Sequence, residues 1–427
     1  MTPHILDVHL HGSLVGSIVN AAGDHNVFTF AESYLVDPDP PVLSLSFYTA
    51  ERKLVSPSRS PHVRVLPFFA NLLPEGHLRA YLARRARINP ARDFPLLWLT
   101  GDDLPGAVVV SHRDGLAVPS ADDVVAAEIE ADPSVLKFSL AGVQLKFSAI
   151  READGGLTIP VHGQGGEWIL KMPSAVYAGV PENEYAMLSF AREVGIAVPE
   201  IHLVDPRTVT NMPAEVRSDL GMALLIKRFD RDGDARIHIE DFNQVFAQYP
   251  AEKYKNASYG SMLGGMWRAL DETATREFVR RLVFSVSIGN GDMHLKNWSL
   301  MYPDGRTPRL APAYDYVSTI VYLANDRLAL SIARSKEWSD VSFDNLERWA
   351  RRAAVPRGVV LGAAHEMVDR IRDVWPRFKK TTGLEPRFIQ KIDEHMNTIP
   401  VLTGRRAAAP TVPVFSPLLA AEQPEIG

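Results

Sequence analysis

The stretch IGNGDMHLKNWSL, residues 288–300, followed by LAPAYDYVS, residues 310–318, constrains this chain more than any other part of it. Asp292 stands five residues before Asn297. That spacing lets one carboxylate meet a hydroxyl attacking a γ-phosphate while a carboxamide oxygen on the same loop reaches magnesium. Asp315 lies on a short apolar run that reads as a β-strand end, and it supplies the main magnesium ligand. Such hard oxygen donors suit magnesium, which takes one or two protein groups and completes its shell with ATP phosphates and water. An isolated Asp-x-x-x-x-Asn pair also arises by chance, so the surroundings matter. Gly289 and Gly291 give a tight loop permissive backbone. Residues 281–288 read as a buried helix that holds the loop, and Pro303-Asp-Gly305 as a hairpin turn before Asp315.

A matching nucleotide half lies upstream. Residues 167–171, EWILK, form an apolar strand ending in Lys171, which points inward. A lysine on such a face is rarely buried without a partner, and a phosphate would serve. Residues 183–195 carry apolar side chains at helical spacing, with Glu184 in the first turn. Glu184 is either the acid that pairs with that lysine or a helix N-terminal acid favoured by the macrodipole. Residues 223–229, ALLIKRF, are an apolar strand that turns polar, as the edge leading into a kinase hinge does. Lysine strand, glutamate helix, hinge strand, Asp/Asn loop and metal Asp therefore follow one another in a single order.

With these parts in place the chain resembles the HipA-type serine/threonine kinases, the toxins of bacterial toxin–antitoxin pairs. The segments PFFANLLPEGHLRAYLARR (67–85), FPLLWLTGDDLPGAVVV (94–110), FSLAGVQLKFS (138–148), WILKMP (168–173), PENEYAMLSFAREVGIAVP (181–199) and LIKRFDR (225–231), with the two catalytic segments, carry the resemblance over nearly the whole length. It implies an α+β chain: a bilobal protein-kinase-like fold with an additional N-terminal α+β subdomain (1–135), an N lobe (136–232), a mostly α-helical C lobe (233–405) and a flexible tail (406–427).

The resemblance also implies residue roles. Asp292 is the catalytic base, Asn297 and Asp315 the magnesium ligands, and Lys171 the phosphate-binding lysine. Lys227, Arg228 and Phe229 form the hinge, with Asp230 close to the ribose. Ala141, Gly142, Val143, Gln144, Leu145 and Lys146 match a flexible phosphate loop whose amides approach the nucleotide. His294 holds the catalytic loop or touches nucleotide, and Lys296 is counted with the nucleotide-binding residues. Ser139 corresponds to a serine whose autophosphorylation expels the loop; read alone, it is an ordinary strand-end hydroxyl. Two positions depart from the family pattern: Leu145 replaces a usual glutamate and Met293 a common glycine. With no second histidine nearby and no cysteine anywhere, zinc is not indicated.

The implied cofactors are ATP and magnesium. The implied partners are a small helix-turn-helix antitoxin of HipB type and a protein substrate, an aminoacyl-tRNA synthetase, with DNA met mainly through the antitoxin complex. Two other readings fit parts of the sequence. The string NGDMHLKN, residues 290–297, also resembles the loop of aminoglycoside phosphotransferases, and a catalytically idle co-repressor would keep the fold without the activity.

Length and composition agree with this picture. A chain of 427 residues implies two or three domains. The formal net charge of −5 argues against a free-standing nucleic-acid binder. Arg348, Arg351, Arg352, Arg370, Arg372, Arg377, Lys379 and Lys380 nonetheless give the C-terminal region a basic cast, either a DNA-facing surface or a solvated helix face interleaved with Asp369 and Asp373. The absence of cysteine is consistent with a reducing compartment. Neither an apolar leader nor a stretch of about 18 apolar residues occurs, so no membrane association and a cytoplasmic location are expected. Alternation predicts strands over 6–10 and 42–47 with 37–41 as a rigid loop between strands, and helical spacing predicts helices over 75–87, 242–246, 275–288, 344–354, 358–374 and 386–398.

Overall fold

The computed structural model describes residues 4–55, 57, 60–113, 146–151, 156–159, 166–212 and 220–404. Ser139 and the segment Ala141 to Leu145 lie outside them, as do the expected boundary at 135/136 and the tail after 405.

The N-terminal region is built on a four-stranded antiparallel sheet in the order His25–Phe30, Ser13–Ala21, His4–Leu10, Val108–His112. Period-2 alternation sends Leu6, Val8 and Leu10 into a core shared with Phe28, Phe68, Phe69 and Leu97. The helices Pro67–Leu72, Gly76–Ala86 and Asp93–Thr100 belong to the same region. The expected strand over 42–47 does not form. Ser44 accepts a hydrogen bond from the Ser46 amide and caps the 3-10 turn Leu45–Phe47. Its hydroxyl also donates to Glu240 at 2.6 Å. A side chain that bonds its own backbone offers the chain an alternative to a sheet ladder, and here that alternative wins. Asp37 to Pro41 accordingly follows a helix, Glu32–Val36, rather than linking two strands.

The second layer is a six-stranded sheet in the order Ile201–Val204, Ala223–Lys227, Trp168–Lys171, Lys146–Arg151, Leu157–Thr158, Val209–Thr210, with the helix Val180–Glu193 packed on it. The register opposes Lys146 and Leu224 to Lys171 on its two neighbouring strands. The C lobe is mostly helical, with Tyr259–Ala269, Glu272–Ser287, Phe343–Arg352, Arg357–Phe378 and Pro386–Met396, and carries a small sheet of His238–Asp241, Ser299–Tyr302 and Arg309–Leu310. One apolar core runs from Met187 and Phe190 of the N-lobe helix through Phe278, Leu282 and Phe284 to Trp349, Met367 and Trp375, so the two lobes share buried surface. The fold is thus bilobal and kinase-like, with the added N-terminal subdomain.

Most of the basic C-terminal side chains are engaged by other groups of the chain. Arg370 donates to the Val194 carbonyl and pairs with Glu366, Arg372 donates to the Leu402 carbonyl, and Lys379 pairs with Asp393. No helix among the described residues is long and apolar enough to cross a membrane.

Candidate active site

The catalytic loop is delivered by the helix Glu272–Ser287, whose first turn is capped by Asp271 accepting from the Ala274 amide at 2.7 Å. The helix ends where Gly289 turns to φ 64°, and the Asn290 amide reaches back to the Ser285 carbonyl at 2.9 Å. Glycine is required here on two counts: the conformation is left-handed, and an added Cβ would come within 2.3 Å of the Ile320 side chain. A Cβ on Gly291 would meet the Asp326 carboxylate at a similar distance. The Gly291 amide instead donates to Thr319, which also donates to the Gly289 carbonyl.

Within the loop, hydrogen bonds fix the functional groups relative to one another. The Asp292 amide donates to Asn290 Oδ1 at 3.0 Å, and Asn297 Nδ2 donates to the Asp292 carbonyl at 2.8 Å. Among the described residues no donor reaches Asn297 Oδ1, and Asn297 lines the cleft. The Tyr254 hydroxyl donates to Asp292 Oδ1. Burial pushes the Asp292 carboxyl up to about 7, against the opposing effects of Tyr254 and Lys253. Met293, where the family often has glycine, packs into the core, and its carbonyl accepts from the Tyr259 hydroxyl.

Asp315 is not at a strand end. It sits in the irregular segment beyond Arg309–Leu310 with φ 55°, the left-handed region that Asp tolerates better than most residues. This backbone is held by Asn290 Nδ2 donating to the Asp315 carbonyl and by Tyr314, whose hydroxyl donates to the Lys296 carbonyl. The Lys171 ammonium bonds both Asp315 Oδ1 and Glu184 Oε1, and Lys146 Nζ is 3.7 Å from the same Asp315 oxygen. Lys171 and Glu184 are almost wholly buried. Burial opposes every charge in this cluster. The Lys146 and Lys171 ammoniums overcome it at Asp315, holding that carboxyl well below the usual range, and the Asp315 and Glu184 carboxylates raise Lys171 above the usual lysine range.

The helix carrying Glu184 begins at Val180, one turn before the sequence pattern suggested, so Glu184 falls in its second turn and Glu182 is the first-turn acid. The macrodipole explanation therefore passes to Glu182, and the partner of Glu184 is Lys171.

Lys146, Lys171, Asn297 and Asp315 line one open cleft of about 1650 Å3 together with Lys227 and Phe229, whereas Asp292 and Glu184 are not among its lining residues. Lys227 is exposed at the hinge, and the Phe229 ring lies 5.7 Å from that of Tyr314. Arg228 and Asp230 are committed elsewhere. Asp230 accepts from the Gly106 amide at 2.8 Å and from Arg228 and Arg231, while Asp103 takes both arginines at 3.3–3.4 Å. The carboxylate expected near a ribose is thus bound to the N-terminal subdomain. Lys296, expected at the nucleotide, is 2.6 Å from Glu75 and donates to Asn71. His294 is buried against the ring of Tyr254 with neither ring nitrogen bonded to any described residue, and burial drives it well below the usual histidine range.

Sequence reasoning missed Tyr254, Lys253 and Glu75. Glu75 lay inside the family-like segment 67–85, but no spacing rule connected it to a loop more than 200 positions away.

Residues 6–111 match the HipA N-terminal domain and residues 138–375 the HipA-like C-terminal domain. The chain belongs to the HipA family. Y4dM of Sinorhizobium fredii, a candidate kinase by its name, is 48% identical over 399 residues, 92% of this chain and 97% of that protein. Y4mE of the same organism, named likewise, is 28% identical over 414 residues, 90% and 94% of the two chains. Among solved structures, HipA of Shewanella oneidensis MR-1, in a complex with HipB and its operator DNA, superposes with a TM-score of 0.71 at 19% identity over 93% of this chain and 96% of that one. At that identity the likeness is one of fold.

Proposed function

We propose that this HipA-family chain is a toxin serine/threonine protein kinase that transfers the γ-phosphate of ATP to a protein hydroxyl. The observation that carries the proposal is the buried Lys171 bonded to both Glu184 and Asp315 beside the loop that joins Asp292 to Asn297. Protein kinases pair a strand lysine with a helix glutamate and hold magnesium through a further aspartate, and Lys171, Glu184 and Asp315 supply those three groups. The donor set fits magnesium, since Asn297 Oδ1 is unbonded among the described residues and Asp315 offers a carboxylate kept ionised by its lysines. Magnesium held by these two residues would neutralise charge on the triphosphate.

The remaining work belongs to the chain. Lys171 binds phosphate oxygens and is itself oriented by Glu184. Asp292, steadied at Oδ1 by Tyr254, receives the hydroxyl proton at Oδ2, to which no described residue donates. Its carboxyl near 7 suits a base operating at neutral pH. The apolar hinge strand and Phe229 border the space for the adenine.

In finer detail, the substrate class is an aminoacyl-tRNA synthetase, the partner a small helix-turn-helix antitoxin of HipB type that brings the chain to operator DNA, and Ser139 the site of an inactivating autophosphorylation. A phosphate on Ser139 would add roughly 1.5 to 2 negative charges two residues before the phosphate-loop segment that begins at Ala141. The test is transfer from radiolabelled ATP with magnesium to glutamyl-tRNA synthetase in the presence of its tRNA, run beside aminoglycosides and sugars, with mass spectrometry of the chain itself. Label on the synthetase and on Ser139 is expected. Label on small molecules alone would transfer the assignment to the aminoglycoside-kinase type, and no label anywhere would leave an idle co-repressor.

A further inference from the structure

The N-terminal subdomain touches both sides of the cleft. On one side, Asp103 accepts from Ser148 of the N-lobe sheet and pairs with Arg228 at the hinge, and the Gly106 amide donates to Asp230. On the other, Glu75 stands between two lysines of the C lobe: Oε1 is 2.6 Å from Lys296 Nζ and Oε2 is 3.3 Å from Lys253 Nζ. Asn71, one turn earlier, accepts from Lys296 through its carbonyl at 3.0 Å and its side chain at 3.2 Å.

Those two lysines belong to the segments that set the catalytic groups. Lys296 immediately precedes Asn297, whose amide nitrogen holds the Asp292 carbonyl. Lys253 immediately precedes Tyr254, which bonds the Asp292 carboxylate, and its own carbonyl accepts from the Leu295 amide at 3.3 Å. One carboxylate therefore ties together the chain on either side of Asp292. Glu75 retains 34% side-chain exposure. Its lysines are less exposed, 13% for Lys253 and 15% for Lys296, so the tie is partly sheltered from water and its effect on loop alignment is measured apart from any effect on stability.

We propose that Glu75 is a positioning residue for phosphoryl transfer, holding the catalytic loop in register through Lys296 and Lys253 from outside the kinase lobes. The proposal rests on the kinase reading for its kinetic half and on geometry alone for its structural half. It makes the N-terminal subdomain a working part of the catalytic centre, because the loop is braced by a residue that neither lobe contains.

The experiment uses the full chain with Glu75→Gln, which keeps the shape and removes the charge, and Glu75→Asp. By hydrogen exchange of the free proteins, Glu75→Gln is expected to expose the amides of residues 289–297 on the order of tenfold faster while the strand Trp168–Lys171 is unchanged. Misalignment of about 1 Å costs up to roughly a hundredfold in rate, so kcat should fall by about 10- to 100-fold with KM for ATP steady and Glu75→Asp recovering much of the loss. Loop protection equal to wild type overturns the proposal whatever the activity, and so does a change confined to KM. A wild-type chain with a protected loop and no transfer to any acceptor would defeat the kinase reading alone. Should Glu75→Gln fail to fold, Lys253→Gln cuts one arm of the same tie, and wild-type loop protection in that variant is equally fatal.

Discussion

Two lysine–carboxylate clusters border the same cleft and differ in what they are made from. In the first, one buried lysine, Lys171, is shared by two carboxylates, Glu184 and Asp315. In the second, one half-exposed carboxylate, Glu75, is shared by two lysines, Lys253 and Lys296. The first draws every member from the proposed kinase lobes and leaves an ionised Asp315 on the wall of a cleft that Asn297 also lines, which suits it to the magnesium and phosphate of the proposed reaction. The second joins a separate subdomain to the catalytic loop and satisfies its own charges: the lysines pull the Glu75 carboxyl down to about 2 in spite of burial. On the proposed reading, similar side chains serve binding in one place and bracing in the other, and the difference lies in which group is left with an open position.

The most severe way to test that division is to remove a charge from the chemistry itself. Asp292→Asn and Asp315→Asn should each abolish phosphoryl transfer by several orders of magnitude, while circular dichroism and gel filtration remain those of the wild type. Full transfer by purified, folded Asp292→Asn would sink the assignment of the base. Next in size is Lys171→Ala. Loss of a charge-assisted contact worth roughly 1.5–3 kcal/mol predicts Mg-ATP binding weaker by about 10- to 100-fold in calorimetric titration. The same change also leaves Glu184 buried without its cation, so the melting temperature should drop, as breaking a buried pair requires. Unchanged affinity would reduce Lys171 to a structural residue and erase the contrast between the clusters.

The pH dependence tests Asp292, which belongs to neither cluster. With the Asp292 carboxyl at about 7, transfer is expected to fall about tenfold per unit as the pH drops below that value and to level off above it. Stability runs the other way. A carboxyl raised by burial favours the folded chain while it is protonated; that contribution is complete below the ordinary value of 3.8 and is lost as the pH rises through about 7. Asp292→Asn stays neutral throughout, so its melting temperature should gain on the wild type across that interval. A constant difference at every pH would mean that Asp292 is ionised throughout and its carboxyl is not raised.

What the sequence made legible follows the same line. The strand that ends in Lys171 and the loop from Asp292 to Asn297 were legible because each is a local pattern, a strand end and a loop framed by glycines whose necessity is visible as a close approach of Gly289 to Ile320, whereas Asp315 was expected at a strand end and lies in an irregular segment. Most helices of the C lobe were legible for the same reason, since 3.6-residue spacing is a local property, but Tyr259–Ala269 was not read. Residues 42–47 were misread because alternation says nothing of Ser44 finding Glu240, a partner 196 positions away. Glu75, Lys253 and Asp103 stayed hidden on the same account: their meaning depends on how an N-terminal subdomain docks, and no periodicity encodes docking. Arg228 and Asp230 line the cleft, yet their side chains also engage Asp103, Arg231 and Gly106, contacts that no local pattern announces.

The smallest expected effect bears on Glu184, for which two explanations were open in the sequence. A first-turn acid gains about 0.3–1 kcal/mol from the helix macrodipole. In the folded chain that position is held by Glu182, whose carboxylate also accepts weakly from the Met222 amide at 3.3 Å, while Glu184 lies one residue past the first turn, buried against Lys171. Glu182→Gln should therefore lower stability by no more than about 1 kcal/mol and leave Mg-ATP affinity alone. Glu184→Gln should do the reverse in emphasis, sparing the helix but loosening Lys171 and weakening nucleotide binding. Parallel denaturant titrations and calorimetry on the two variants make the comparison. Equal effects on binding would mean that the helix as a whole, rather than the one acid that faces the lysine, orients Lys171 toward the phosphates.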